Sequence, residues 1–459
     1  MGLGGHNHDR LLALVSVLAL ALTACWTSYG LDHDNTRSAL MESAISANTV
    51  ASLEEVWRID GIEGSTSTPA VFGDSVYFGA WDGSLRAVST KDGSPRWTTQ
   101  LSGSVIDDSP LVAGDRVYIG DGAGNLHAVD RATGGVVWSR ELDPHPLTRT
   151  FSSPVAVDDV IIIGVASVEL AVPLPDYTFR GSIVALDAAT GDEVWRIYTT
   201  TNDAEAGAGV SVWSTAAIDT GRGLAFIGTG NTYEEPAAPL GDSLMAIDYH
   251  AGTIRWTRQF TEGDVYTIFG DPPQGPDADI GAAPNLFSIG DRDVVGVGDK
   301  AGVYAALDRD TGETIWARQL WPGSHLGGVM TTAAYHDGTI YVGTNLWSNL
   351  GNFHDPDNLS LTYALDTSDG SVRWVRLMPA PAFGAFTYAN GIVFQPTITG
   401  ALYALDAIDG SILWSDELGA DLGSGVSVAN GTVFAPYGFW FFAAPANPDG
   451  GVVAYRPAT

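Results

Sequence analysis

Five side chains in the middle of this chain combine into a recognisable chemical set. Glu169 follows GVASV, Asn231 follows IGTG, Asp279 opens DIGAAP, Lys300 follows GVGD and Trp213 opens WSTAA. Glu169, Asn231 and Asp279 offer hard oxygen donors, a set that suits Ca²⁺. No His or Cys accompanies them, which argues against zinc or copper. Lys300 brings positive charge into an acidic chain, as an anionic cofactor requires. Trp213 offers a flat apolar face for a planar ring. Each residue alone has a plainer reading: an Asn after Gly is commonly a turn residue, and a Trp is commonly core. What lifts the set above that reading is the position its members share.

That position is set by a thirteen-residue pattern that occurs seven times: Leu85–Trp97, Leu126–Trp138, Ile183–Trp195, Leu244–Trp256, Tyr304–Trp316, Thr362–Trp374 and Leu402–Trp414. Each copy is an alternating strand, a Gly-bearing turn, and a second strand ending in Trp. Alternation gives one buried face, and Gly supplies the positive φ of a tight hairpin. One hairpin cannot bury such a face alone, so the units must stack. All-β units at this period predict propeller blades. An eighth Trp, Trp57, precedes the first copy, and Gly450–Pro457 reads as a strand that stops before its Trp strand. Joining these two ends in one blade predicts a closed, all-β, eight-bladed propeller over residues 53–459, with no long sheet edge left open. Successive Trp residues are 40, 41, 57, 61, 60, 58 and 40 apart, so four blades carry long insertions. Such insertions map to loops and often to a binding face.

In the plain unit Ser109–Trp138 the first strand is expected at Pro110–Ala113 and the second, running back, at Arg116–Gly120. First-strand starts and second-strand ends therefore share one face of the disc, around the axial funnel. At first-strand starts stand Trp213, Asp279, Phe383, the pair Asp107-Asp108 and the pair Ser152-Ser153. At second-strand ends stand Glu169, Asn231, Lys300 and Asn345.

Residues 1–24 read as a secretory signal: Arg10, an apolar run Leu11–Leu22, then Leu22-Thr23-Ala24-Cys25. That ending resembles a bacterial lipobox, which implies acylation of Cys25, the one cysteine in the chain. Residues 25–52 lack the repeat and are expected to be a lipid-anchored tether on the periplasmic side. Trp26 after the Cys favours the outer membrane under the general bacterial sorting pattern. There is neither an internal disulfide nor a CxxCH haem attachment, so a redox enzyme built this way needs an external acceptor. The net charge of −32 repels nucleic acid.

These residues resemble the quinoprotein alcohol dehydrogenases that bind pyrroloquinoline quinone (PQQ), polyvinyl-alcohol-dehydrogenase-like members above all, from about Leu53 to Pro457. GVASVELAVPLPDYTFRGSIVALD resembles the segment whose Glu binds Ca²⁺, here Glu169, and AFIGTGN the segment whose Asn binds the same ion, here Asn231. VWSTAAID resembles the segment whose Trp stacks on PQQ, here Trp213. PDADIGAAPNLF is similar to the segment with the catalytic Asp, here Asp279, with Asp277 the first alternative. GDKAGVYAALDRDTG resembles the strand whose basic residue meets the quinone oxygens, here Lys300, and YVGTN places Asn345 at a further cofactor contact. Ser152 joins Trp213, Lys300 and Asn345 as an expected cofactor contact. Two departures concern the upper wall: Asp107-Asp108 stands where many members carry vicinal cysteines, and Phe383 where the family has a Trp.

The resemblance implies oxidation of an alcohol to a carbonyl. Asp279 would be general base and metal ligand, Lys300 would stabilise developing oxygen charge, and electrons would pass to an acceptor such as cytochrome c. The rival expectation is a scaffold, since a lipid-anchored eight-bladed propeller also resembles the accessory lipoprotein of the outer-membrane barrel-assembly machine. A propeller fold does not fix function.

Overall fold

The computed structural model describes residues 25–101, 105–201, 207–270, 275–349, 351–439 and 450–458. The expected signal peptide lies outside the described residues. Among these residues the chain forms eight antiparallel sheets around one axis, seven with four strands and one with five. Blade 1 runs Ala70–Phe72, Ser75–Gly79, Ser84–Ser89 and Pro95–Gln100, and blades 2 to 7 repeat that order. Blade 8 takes Ser427–Ala429, Thr432–Tyr437 and Gly451–Pro457 from the C-terminal end and Leu53–Ile59 as its outermost strand. The expected closure therefore holds, with Trp57 opposite Ala454 and Leu53 opposite Pro457. In the unit used above, the first strand is Leu111–Ala113 and the second Arg116–Gly120.

The repeated Trp binds blades to one another rather than finishing its own. Trp57 Nε1 donates to Thr90 O at 3.1 Å, Trp97 to Arg131 O at 3.0 Å and Trp316 to Thr367 O at 2.8 Å, each in the next blade. Trp414 Nε1 donates to Leu53 O at 3.2 Å and so carries the series across the closure. Each such bond is worth about 1 kcal/mol. The indole also lies on the turn Gly of the next blade. A Cβ on Gly252 would come within 2.5 Å of Trp195. That Gly is needed twice, for its φ of +62° and for the approach of the ring.

Residues 26–45, read from the sequence as part of a tether, instead fill the axial channel. They satisfy the channel-side edges of the inner strands in turn. Trp26 exchanges backbone bonds with Val71 of blade 1, and Thr27 O accepts from Val112 N of blade 2. His33 Nε2 meets Ala156 O of blade 3, and His33 O accepts from Ile218 N of blade 4. Asp34 O, Thr36 O and Arg37 O accept from Leu286, Tyr335 and Tyr388 of blades 5, 6 and 7. Glu42 Oε2 accepts from Gly431 N of blade 8 at 2.9 Å. An inner strand presents unpaired backbone groups to the channel, and this segment pairs them. It has no internal period because it meets one blade after another along its length. Arg37, fully buried, donates to Phe386 O, Val426 O and Thr387 Oγ1, and burial lowers its guanidinium to about 10.

The long insertions lie between second and third strands (168–181, 229–242, 347–358) and between blades (199–216, 260–284, 320–333). Both kinds of loop fall on the face where first strands start. Described residues of these loops help to wall a cavity of ≈ 950 Å³ over the channel-filling segment.

Candidate functional site

Four of the expected residues meet in this cavity. Trp213, Asn231, Asp279 and Lys300 all line it, from blades 4 and 5. Lys300 Nζ lies 2.7 Å from Asp279 Oδ2 and 2.7 Å from Asp277 Oδ2. Asp279 Oδ1 accepts from Asn231 N at 2.7 Å. Asn231 Nδ2 donates to Thr232 O and Tyr266 O, which leaves its Oδ1 for the cavity. Trp213 is half-buried and packs on the backbone of Gly281, where a Cβ would sit 1.8 Å from the ring. Only Gly admits the indole there.

The electrostatics are unusual for so enclosed a place. Burial alone would lower the Lys300 ammonium, but Asp277 and Asp279 outweigh it and raise its pKa, so the charge persists. Asp277 is pushed up by burial, with Lys300 pulling it back and Asp279 adding to the rise. Behind them Asp242 and Asp264 are also raised, by burial first and then by Asp279. Asp242 Oδ1 is buried without a hydrogen-bond partner. Two carboxyls thus touch one ammonium and two more lie behind them, a set of oxygen donors that a divalent cation would hold deprotonated.

The remaining expected residues sit differently. Glu169 does not line the cavity. It begins a short 3₁₀ turn two residues beyond Val160–Ser167, and its oxygens accept from Thr178 N and Phe179 N at 2.9 Å each. The Tyr233 hydroxyl, bonded to Ser211 Oγ at 2.6 Å, is raised by burial first, and the Asp279 and Glu169 charges add to it. Among the described residues no three His, Cys, Asp or Glu side chains form a ready metal site. A cation would need the amide of Asn231 and atoms of the cofactor as well. Asn345 Oδ1 accepts from Ala382 N and its Nδ2 donates to Ala382 O, which ties blade 6 to blade 7 away from the cavity. Ser152 Oγ accepts from Gly164 N, whereas its neighbour Ser153 lines the cavity. Phe383 and Asp107 line it, with burial pushing the Asp107 carboxyl up to about 6 against the pull of Arg149.

Three lining residues carry no signal in the repeat. Tyr29 comes from the channel-filling segment and bonds Thr332 Oγ1 at 2.8 Å. His325 stacks on Tyr266 at 4.5 Å, and burial and then Lys300 lower its pKa. Arg149 adds a second positive charge. Together with Trp213, Lys300 and Asn231 these groups fit a planar anionic cofactor.

The chain is 28% identical over 420 residues to a polyvinylalcohol dehydrogenase of Pseudomonas sp, covering 82% of this chain and 64% of that protein. It is 35% identical over 250 residues to a polyvinylalcohol dehydrogenase of Sphingopyxis sp. (strain 113P3), covering 47% of this chain and 38% of that protein. It thus spans less than two thirds of the length of these curated relatives. Its fold is similar to that of the quinohemoprotein alcohol dehydrogenase ADHIIG from Pseudomonas putida HK5, with a TM-score of 0.81, 19% identity, and coverage of 96% of this chain and 82% of the other. The model of one repeat family, PQQ_2, described as "Outer membrane protein assembly factor BamB", matches residues 42–318, 179–381 and 299–459, and the chain belongs to that family.

Proposed function

We propose that this chain oxidises an alcohol to a carbonyl compound with PQQ and Ca²⁺. The observation that carries the reading is the pair of 2.7 Å contacts from one buried lysine to Asp277 and Asp279, beside Trp213 on Gly281. PQQ, when bound, supplies the two-electron acceptor, and the metal supplies Lewis acidity. Trp213 and Lys300 hold the cofactor, and Glu169, Asn231 and Asp279 hold the ion. Asp279 takes the hydroxyl proton at a carboxylate oxygen, with Asp277 as the alternative base. Lys300 stabilises negative charge that develops on oxygen. Ser152 and Asn345 act through the strands they fasten.

A basic periplasmic acceptor such as cytochrome c fits the net charge of −32. We place the protein on the periplasmic side of the outer membrane, anchored through Cys25. A lipid there would lie close to the ring, because Trp26 is fully buried and bridged to Val71. The scaffold reading is kept by the description of the family model. A scaffold has no use for a buried ammonium held between two carboxyl groups, which costs stability.

The test is reconstitution with PQQ and Ca²⁺, followed by alcohol-dependent reduction of an artificial dye. Stoichiometric uptake and dye reduction are expected. A protein that takes up no PQQ belongs with the scaffolds.

A further inference from the structure

We propose that His145 is a positioning residue for Glu169: from outside the cavity it orients the carboxylate that takes the cation. The inference rests on the reading that Glu169 holds the ion.

Blade 3 is the one sheet with five strands among the described residues, and the extra strand brings these two residues together. Thr148–Arg149 pairs with the end of Val160–Ser167, Thr148 opposite Ser167, and Val168 N donates to Leu147 O at 3.0 Å. The chain just before this short ladder therefore runs beside the chain just after it. His145 Nε2 lies 3.3 Å from Glu169 Oε1 and 3.3 Å from Thr178 Oγ1. Thr178 Oγ1 in turn lies 3.5 Å from the same Glu169 oxygen. His145 lines a separate hollow of ≈ 290 Å³ with Asp143, Thr178 and Phe179, and takes no part in the cavity wall.

The imidazole is held for this task from several directions. Pro144 and Pro146 flank it. Proline fixes its own φ, and a residue before proline is confined to extended backbone. His145 N donates to Asp143 Oδ1 at 2.9 Å. Leu147 N donates to Nδ1 at 3.3 Å, which leaves the ring proton on Nε2, the nitrogen that faces Glu169 and Thr178. Phe179 meets the ring edge-on at 5.6 Å. Thr178 and Phe179 also supply the two backbone donors of Glu169, so one segment sets both the ring and the carboxylate. Glu169 is 1% exposed, and a buried carboxylate held by fixed donors presents its remaining lone pairs in a fixed direction. Such outer contacts tune the affinity of a ligating carboxylate for its metal.

The test follows PQQ uptake against Ca²⁺ concentration by absorbance titration, beside melting of the cofactor-free full chain. His145→Asn removes the reach of Nε2, whereas His145→Gln keeps a donor near that place. The asparagine variant should raise the Ca²⁺ midpoint about ten- to hundredfold, and the glutamine variant should stay within about threefold of wild type. Thr178→Val, which keeps the backbone N–H, should raise it severalfold. A merely structural His145 would lower the melting temperature of the cofactor-free protein and leave the Ca²⁺ midpoint of the asparagine variant at the wild-type value, which overturns the proposal. Equal loss in the asparagine and glutamine variants overturns it as well. Where His145→Asn does not fold, an unchanged midpoint in Thr178→Val does so. A wild type that takes up no PQQ at any Ca²⁺ concentration removes the metal reading and this inference with it, a result distinct from equal midpoints in proteins that load.

Discussion

The halves of the cavity at blades 4 and 5 and at blades 6, 7, 8 and 1 rest on the same four-stranded unit, yet they hold their side chains by different forces. In the charged half, position comes from hydrogen bonds: Lys300 to two carboxylates, Asp279 to Asn231 N, and Asn231 to two carbonyls. In the aromatic half it comes from ring edges meeting ring faces. Directional bonds fix atoms well enough for proton transfer. Ring packing tolerates small shifts and suits a surface that binds by area. A symmetric scaffold can thus give two sides of one cavity different characters by what each loop adds.

Three substitutions in and beside the charged half would break this comparison if it is wrong. The largest effect is expected for Asp279→Asn, which removes the basic carboxylate but preserves much of the shape. Turnover should fall about 10²- to 10⁴-fold with PQQ still bound, as read by steady-state dye reduction. Next come Asn231→Ala and Glu169→Gln, which should weaken Ca²⁺-dependent PQQ binding about ten- to hundredfold, measured by equilibrium titration. Asn231→Ala should cost more, since Asn231 lines the cavity and Glu169 does not. Wild-type binding in both would remove the metal assignment.

A smaller effect is expected on stability. Burial raises Asp107 to about 6 and Asp299 to about 7, and raises Asp108 well above its usual range. Each holds its proton more tightly folded than unfolded. The stability they contribute is therefore present below about pH 4 and is lost as pH climbs through 6 to 7. The cofactor-free protein should melt several degrees higher at pH 5 than at pH 8 by differential scanning calorimetry. Millimolar Ca²⁺ should narrow the gap if the ion sits at Glu169, Asn231 and Asp279, because its binding strengthens as pH rises. Smallest is the effect of salt: reoxidation by a basic cytochrome c should slow severalfold as the Debye length shrinks to roughly 10 Å at 0.1 M. A flat stopped-flow series would remove electrostatic docking.

The ring was legible because the turn Gly and Trp recur at fixed spacing. The same ruler located Trp213, Asn231, Asp279 and Lys300. It misjudged positions where a strand ran longer or shorter than the plain unit. Asn345 still belongs to the strand Thr339–Leu346, so its amide reaches the next blade. Glu169 lies beyond its strand, where the backbone N–H groups of Thr178 and Phe179 take its oxygens. Ser152 and Ser153 differ by the alternation of the chain, and the cavity received the second. Tyr29, Arg149 and His325 lie in segments without a period. Nothing in sequence spacing could place Tyr29, because its segment contacts the blades one after another.

The most direct test of the charged half compares wild type with Asp279→Asn, both reconstituted with PQQ and Ca²⁺, in a single-turnover absorbance experiment with an alcohol in excess. The account predicts equal PQQ content, with spectral reduction in wild type and almost none in the variant. Equal reduction in both proteins would contradict it.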